Sequence, residues 1–459
     1  MSTSPPPPDK ASSTAPDSVS STDPQSTRST RKDPPTGAGA GDGDNRERPF
    51  AWFHALGQDG RRAFFGAYGG YGLDSYDFYV LPLSLAAIGT YFGLDNGQTG
   101  LLATVTLLVS AVGGAVAGVF ADRVGRVRAL VWTVSVYAVF TVACGFASDF
   151  GTLLVFRALQ GLGFGGEWAV GAVLVAEYAS ARHRGRTLGW IQSAWAVGWG
   201  LAVISYTVVY QLVDDDLAWR ILFFTGALPA LLVLYVRRSV KDAPVAAARL
   251  KSGGRQRSLG SGFAEIFRGR LLRTTLLAGL LSTGVQGGYY TLATWIPKYL
   301  SEERGLSVTG VGGFLVVQIV GAFSGYVTGA HLADRLGRRR TIQIFAVLSA
   351  LCVLSYSRVP GDWDEISLLL GFPLGFCMSA IFSSFGSFLA ELYPTEVRGT
   401  GQGFTYNTGR AVGAAFPTLV GFLSDSWGVG GALGFAAAGY ALAYVSLLGL
   451  PETRGIELR

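Results

Sequence analysis

Several charged or polar groups lie inside stretches that are otherwise apolar. Arg157, Gln160 and Glu167 fall within the run 157–177, which is apolar enough to cross a bilayer as one helix. An ionisable group at that depth costs several kcal/mol unless it faces a partner or a wet cavity, so it points to function or to an internal ion pair. Asp74 and Asp77 stand three residues apart in another such stretch and share one helical face. Two carboxylates that close and partly desolvated hold one shared proton more readily than two charges, which suits proton binding and release near neutral pH. If the helix begins near Phe64, Asp77 is roughly 20 Å along it, a depth that favours function over a wetted helix end.

Arg410 lies twelve residues beyond Arg398, roughly 18 Å into its helix and beyond the reach of snorkelling. A guanidinium is always charged and grips carboxylates through two parallel hydrogen bonds. Arg410 is therefore a candidate anchor for an anion, the alternative being a salt bridge to a carboxylate of the first or fourth span. Tyr406 and Asn407 share its face. Gln286, Tyr289 and Tyr290 share another face and could hold a carboxylate or an aromatic ring, or simply cap helix packing. Arg157 either guides an anion inward or pairs with Asp77. Glu167 is a second proton site or the structural partner of Arg157 or Arg410.

The elements that must position these residues are membrane spans. Of the 459 residues 49% are hydrophobic and 15% charged, with a mean hydropathy of +0.35, whereas soluble proteins carry about a quarter charged residues. Twelve spans are expected, at roughly 64–91, 98–121, 128–148, 152–178, 186–212, 218–236, 272–299, 308–332, 341–357, 366–390, 400–424 and 428–450. Residues 1–50, rich in Pro, Ser, Thr and Asp, read as a disordered tail. A basic linker at 237–271 separates six spans (64–236) from six (272–450), and 451–459 form a short tail. Lys and Arg concentrate in the loops after even-numbered spans, while the opposite loops carry Asp214, Asp215, Asp216, Asp362, Asp364 and Glu365. The positive-inside rule then places both termini in the cytoplasm of a cell with this protein in its plasma membrane.

The net charge of +6 sits at loop ends and gives no nucleic-acid surface. Cys144, Cys352 and Cys377 lie in apolar spans, and His54, His183 and His331 are scattered, so neither a disulfide framework nor a metal site is expected. The glycines between 161 and 166 lack the Lys-Ser/Thr of a phosphate loop. They let a neighbouring helix approach closely.

The two halves repeat. Asp122-Arg123-Val-Gly125-Arg126 recurs as Asp334-Arg335-Leu-Gly337-Arg338, an offset of 212. Glu177 precedes Arg184 by seven residues and Glu391 precedes Arg398 by seven, an offset of 214. Two signatures at nearly one offset indicate a duplicated six-helix unit.

With these residues the chain resembles the major facilitator superfamily from about Phe64 onward. The paired Asp-Arg-x-Gly-Arg loops are the most specific likeness, although Val127 stands where a third basic residue is common. Pro451-Glu452-Thr453-Arg454-Gly455 resembles the ending of sugar and organic-acid porters. Arg237-Arg238 through Lys241-Asp242-Ala-Pro244 resembles their mid-chain signature, with Lys-Asp in place of Pro-Glu. Within the superfamily, Asp74-Ser-Tyr-Asp77-Phe is similar to the aromatic-acid symporters, and Gly165-Gly166-Glu167-Trp168 to the sialate, lactate and metabolite porters. Arg157, Glu177, Arg398 and Arg410 also resemble the aromatic-acid group in their spacing.

The resemblance implies an all-α integral membrane fold of twelve transmembrane helices in two pseudo-symmetric six-helix bundles. It implies proton-coupled import of a small organic anion by alternating access, with no cofactor beyond the proton, no enzymatic step and no need for an oligomer. Asp122, Arg123, Arg126, Asp334, Arg335 and Arg338 would be gate residues, with Glu177, Arg184, Glu391 and Arg398 as the other charged halves of the latches. A neutral-solute porter would share the fold with less need of Arg410. A drug exporter fits less well, because Gly198-Trp-Gly200 has no following Pro. A receptor or scaffold would leave the intramembrane charges unexplained.

Overall fold

A computed structural model describes residues 51–454 except 55, 179–183, 241–263, 361 and 395–396. The expected tail at 1–50 and most of the linker at 237–271 therefore lie outside the described residues. The helices of the first half are α1 (Gly57–Phe92), α2 (Asn96–Val124), α3 (Arg126–Cys144), α4 (Phe150–Tyr178), α5 (Arg184–Leu212), α6 (Asp215–Phe224) and α7 (Leu228–Ser239). Those of the second half are α8 (Gly269–Lys298), α9 (Val308–Leu336), α10 (Arg338–Tyr356), α11 (Asp364–Glu391), α12 (Arg398–Gly413), α13 (Ala415–Leu433) and α14 (Phe435–Leu448). No strand occurs among the described residues.

Among the described residues, a short helix over Ala51–His54 precedes these fourteen, which are arranged as twelve crossings. The sixth expected span divides into α6 and α7 at a 3-10 turn over Thr225–Ala227. The eleventh begins as α12 and continues into α13, where Gly428 turns the chain. Before that turn Gly421 packs on Asn96; after it Gly439 meets Gly284 and Gly449 meets Leu277, so the chain runs back along α8. Six helices (α2, α3, α5, α9, α10 and α11) are, among the described residues, each long and apolar enough to cross a membrane unaided, and the bent stretch at α12–α14 adds a seventh. α1, the span expected at 64–91, is not among them; it holds Asp59, Arg61, Arg62, Asp74 and Asp77. Val116, Trp132, Val139 and Leu231 are exposed, where lipid would meet them.

The repeat seen in sequence is a repeat in space. In the first half α2 and α3 pack on α4 and α1 on α5; in the second α9 and α10 pack on α11 and α8 on α12. The halves meet through α2 against α13 and α5 against α9. Each Asp-Arg-x-Gly-Arg loop is a one-residue break between helices, at Gly125 (φ 102) and Gly337 (φ 98). Only glycine takes that backbone without strain, which accounts for its place in both copies.

Asp95 starts α2 with a capping box, accepting from the Gln98 backbone at 2.7 Å while Gln98 Oε1 accepts from the Asp95 backbone at 3.1 Å. The glycines of α4 are contact points rather than hinges. A Cβ on Gly165 would overlap the Ser110 carbonyl of α2, and one on Gly166 would overlap Thr133 of α3. Gly165→Ala is expected to lower stability by about 1–3 kcal/mol through overpacking. A thermal-unfolding midpoint equal to wild type in detergent would contradict the close α2–α4 contact.

Candidate functional site

The glycine contacts bring α4 against α2 and α3 and so fix which side chains of α1 it faces. Asp77 is 1% exposed, Arg157 2% and Gln160 1%. Thr141 of α3 donates to Asp77 Oδ1 at 2.5 Å, and Gln160 Nε2 donates to Oδ2 at 2.5 Å. Arg157 donates to Gln160 Oε1 at 2.5 Å. Arg157 thus reaches Asp77 through the Gln160 amide, with no ion pair within 4 Å between them. Asp74 is equally buried on α1, yet the hydrogen bonds of Asp77 run to α3 and α4.

Arg410 is 6% exposed near the end of α12. Its guanidinium lies 5.7 Å from the Phe164 ring centroid and 5.2 Å from that of Tyr406, with the Tyr290 and Tyr406 hydroxyls as its electrostatic neighbours. No carboxylate among the described side chains lies within 4 Å of it. Phe78 stacks on Phe164 at 6.1 Å and packs against Trp195 at 5.6 Å and Tyr290 at 6.0 Å. Tyr71 leans on Trp195 at 5.1 Å. A cationic centre walled by rings from α1, α4, α5, α8 and α12 can hold a flat or compact anion by charge and by contact with ring faces.

The other expected site residues sit as follows. Gln286 donates to the Tyr406 carbonyl at 2.9 Å and accepts from the Tyr290 hydroxyl at 3.1 Å, joining α8 to α12 beside Arg410. The Tyr289 hydroxyl instead accepts from Trp195 Nε1 at 2.5 Å and pairs with that of Tyr79 at 2.9 Å, so it joins the two halves. Asn407 donates to the Gly403 carbonyl at 2.9 Å and lies against Gly114 of α2. The side chains of Glu167, Asp122, Glu177 and Arg184 lie outside the described residues.

In the second half the charges around Arg338 pair with one another. Arg338 stands 3.5 Å from both Asp334 and Glu391, and Thr453 donates to Glu391 at 2.5 Å. Burial of Glu452 opposes its charge, but backbone N–H groups of Arg339, Arg340, Thr453 and Arg454 outweigh it and hold the carboxyl below its usual range. The Pro-Glu-Thr-Arg ending thereby ties the chain end to the start of α10. Arg123 and Arg335 are exposed; Arg126 and Arg398 are half-buried.

Opposite those basic loops, at the acidic end, the halves are laced together. Thr104 donates to the Ala414 carbonyl at 2.5 Å and contacts Thr418 at 2.7 Å; Gln211 donates to Thr309 at 2.8 Å and Lys298 to Asn96 at 2.7 Å. Phe422 fills against Gly97. These contacts tie the halves together at the acidic end, beside a cavity of about 260 Å³ lined by Tyr206, Tyr210, Asp215, Lys298 and Ser301.

Residues 67–418 match the family profile described as Major Facilitator Superfamily. The chain belongs to the major facilitator superfamily. It is a multi-pass membrane transporter rather than an enzyme, and several of its relatives are named as transporters of organic acids. It is 39% identical over 413 residues, covering 89% of this chain and 94% of the relative, to a probable 4-methylmuconolactone transporter of Cupriavidus pinatubonensis. It is 30% identical to a cis,cis-muconate transport protein of Acinetobacter baylyi, covering 80% of this chain and 88% of the relative. Among solved structures it resembles a D-xylose–proton symporter with a TM-score of 0.68 at 21% identity, over 87% of this chain and 99% of that one, a likeness of fold.

Phe78, Phe164, Trp195 and Tyr71 complete the candidate site and were not singled out by sequence reasoning, which noted Gln160 inside its span but gave it no role. Gln160 had a signal, being one helical turn from Arg157. The aromatic residues had none, since rings in apolar spans are commonplace.

Proposed function

We propose that this transporter carries a small organic anion, a mono- or aromatic carboxylate, across the plasma membrane together with one or more protons, by alternating access. The observation that carries the reading is Arg410, a buried cation walled by aromatic rings with no carboxylate near it among the described side chains. A cation so placed is costly without a counter-ion, and the substrate's own carboxylate supplies one. The sialic acid transporter of Escherichia coli, 27% identical over 87% of this chain and 96% of its own length, and the muconate and muconolactone transporters carry names of acidic or lactone solutes, in keeping with this class.

Asp77, with Asp74 on the same helix, binds the proton; Glu167 is a further candidate. Neutralising Asp77 removes a negative charge from the path and favours anion entry, and loss of the proton on the alkaline side favours release. The acidic end, where the halves are tied together, is the outer one and both termini face the cytoplasm, a reading that the positive-inside rule supports. The loop charges around Arg338 and Glu391 bias the two-state equilibrium without touching the ligand.

Purified protein in proteoliposomes under an inward proton gradient tests this. The panel is labelled benzoate, 4-hydroxybenzoate, lactate, sialic acid and glucose. Uptake of an acid that rises with the gradient and collapses with a protonophore is expected. Glucose uptake, or acid uptake indifferent to the gradient, overturns the reading.

A further inference from the structure

We propose that Gln160 is a spacer that keeps Arg157 from closing on Asp77 as a direct ion pair, and so leaves that carboxylate able to take up a proton. The inference deepens the reading of Asp77 as the proton site and rests on it. Chemistry fixes the amide's orientation. A guanidinium only donates, so the Gln160 oxygen must face Arg157 and its nitrogen must face Asp77. With Thr141 on the other oxygen, both acceptors of Asp77 are held by neutral donors, and the cation stands one amide away.

The spacing matters because the cluster is buried. An opposite charge in direct contact holds a carboxylate ionised far below neutral pH, and a proton carrier locked in that way does not cycle. Placing the amide between the two charges lengthens their separation and weakens the attraction in inverse proportion. The ionised form is still stabilised by two short hydrogen bonds, so the proton can also leave. Neither state is locked.

The other groups facing Asp77 do not substitute for this control. From α4 come Arg157 and Gln160, and from α3 Thr141 and the thiol of Cys144. Gly226, in the turn between α6 and α7, faces it without a side chain. Tyr76, beside it on α1, bonds to Thr225 at 2.5 Å. Arg157 is the cation in this set, and Gln160 alone stands between it and the carboxylate.

Uptake by proteoliposomes is measured against pH for wild type, Gln160→Ala and Gln160→Ala combined with Arg157→Gln, using the acid that wild type transports. Shortening residue 160 leaves room for Arg157 to reach Asp77. The pH of half-maximal uptake is expected to fall by about 1 unit or more, the shift that a newly contacting opposite charge produces. Exchange of labelled for unlabelled acid at fixed pH, which needs no proton release, is measured beside it, so that a loss of substrate binding is told apart from a shift of the proton step. Removing the cation in the double variant is expected to bring the midpoint back up.

A midpoint that stays or rises in Gln160→Ala overturns the spacer, since the amide would then be no more than a donor. If Gln160→Ala does not fold, Gln160→Ser carries the same test with a side chain as short. Asp77→Asn separates the two levels of the argument. If that variant still concentrates acid along the gradient, the proton-site reading falls and the spacer with it. If it does not, an unmoved midpoint in Gln160→Ala sinks the spacer alone.

Discussion

Arg410→Ala is expected to abolish uptake at substrate concentrations that saturate the wild type. Truncating one partner of a buried, hydrogen-bonded charge pair costs about 2–5 kcal/mol. At 1.4 kcal/mol per factor of ten, that is roughly a 30- to 4,000-fold loss of affinity. The loss should be at the high end here, because the rings of Phe164 and Tyr406 exclude the water that would otherwise solvate the substrate's carboxylate. Arg410→Lys keeps the charge but not the planar two-pronged donor or its stacking on those rings, so partial recovery is expected. Direct binding of the labelled acid to detergent-purified protein, with gel-filtration profile as the folding control, is the measurement. Wild-type affinity in a well-folded Arg410→Ala protein would remove Arg410 from the site.

Asp77→Asn is expected to end accumulation driven by the proton gradient while leaving exchange of internal for external substrate. The side chain keeps its shape and resembles the protonated acid. Its oxygen can still accept from Gln160, and its new N–H group can donate to the Thr141 hydroxyl, whose own hydrogen is free to go to the Tyr137 carbonyl 2.8 Å away. The variant therefore has a satisfied network and should fold. Counterflow measures exchange, and the ratio of internal to external substrate under an imposed gradient measures coupling. Accumulation that still tracks the gradient would show that the coupling proton rides elsewhere, with Asp74 and Glu167 the next residues to replace.

Much of this protein was legible before any helix was placed. Apolar length, charge bias between alternate loops and the cost of a charge at bilayer depth are properties of single segments, and each can be read along one chain. They gave the twelve crossings, the duplication at an offset of 212 to 214 residues, and Asp77, Arg157 and Arg410 as residues needing an explanation. The helical breaks were unequally visible. The turn at Gly428 follows the polar stretch Ser424-Asp425-Ser426, where a span boundary was expected, but the 3-10 step at Thr225 falls inside an apolar run, where hydropathy does not register a change of direction.

Partnership was decided only by the tertiary structure. The sequence left Arg157 to pair with Asp77 or to guide an anion, and it paired Tyr289 with Tyr290 on one face. In three dimensions Gln160 stands between Arg157 and Asp77, and Tyr289 turns to Trp195 and Tyr79 while Tyr290 stays beside Arg410. Which side chains meet across helices depends on each helix's rotation and its slide along its neighbour. Contacts such as Gly165 on Ser110 and Gly198 on Gly72 set both to within an atom's width. Helical periodicity names the face of one helix; only packing says what that face looks at.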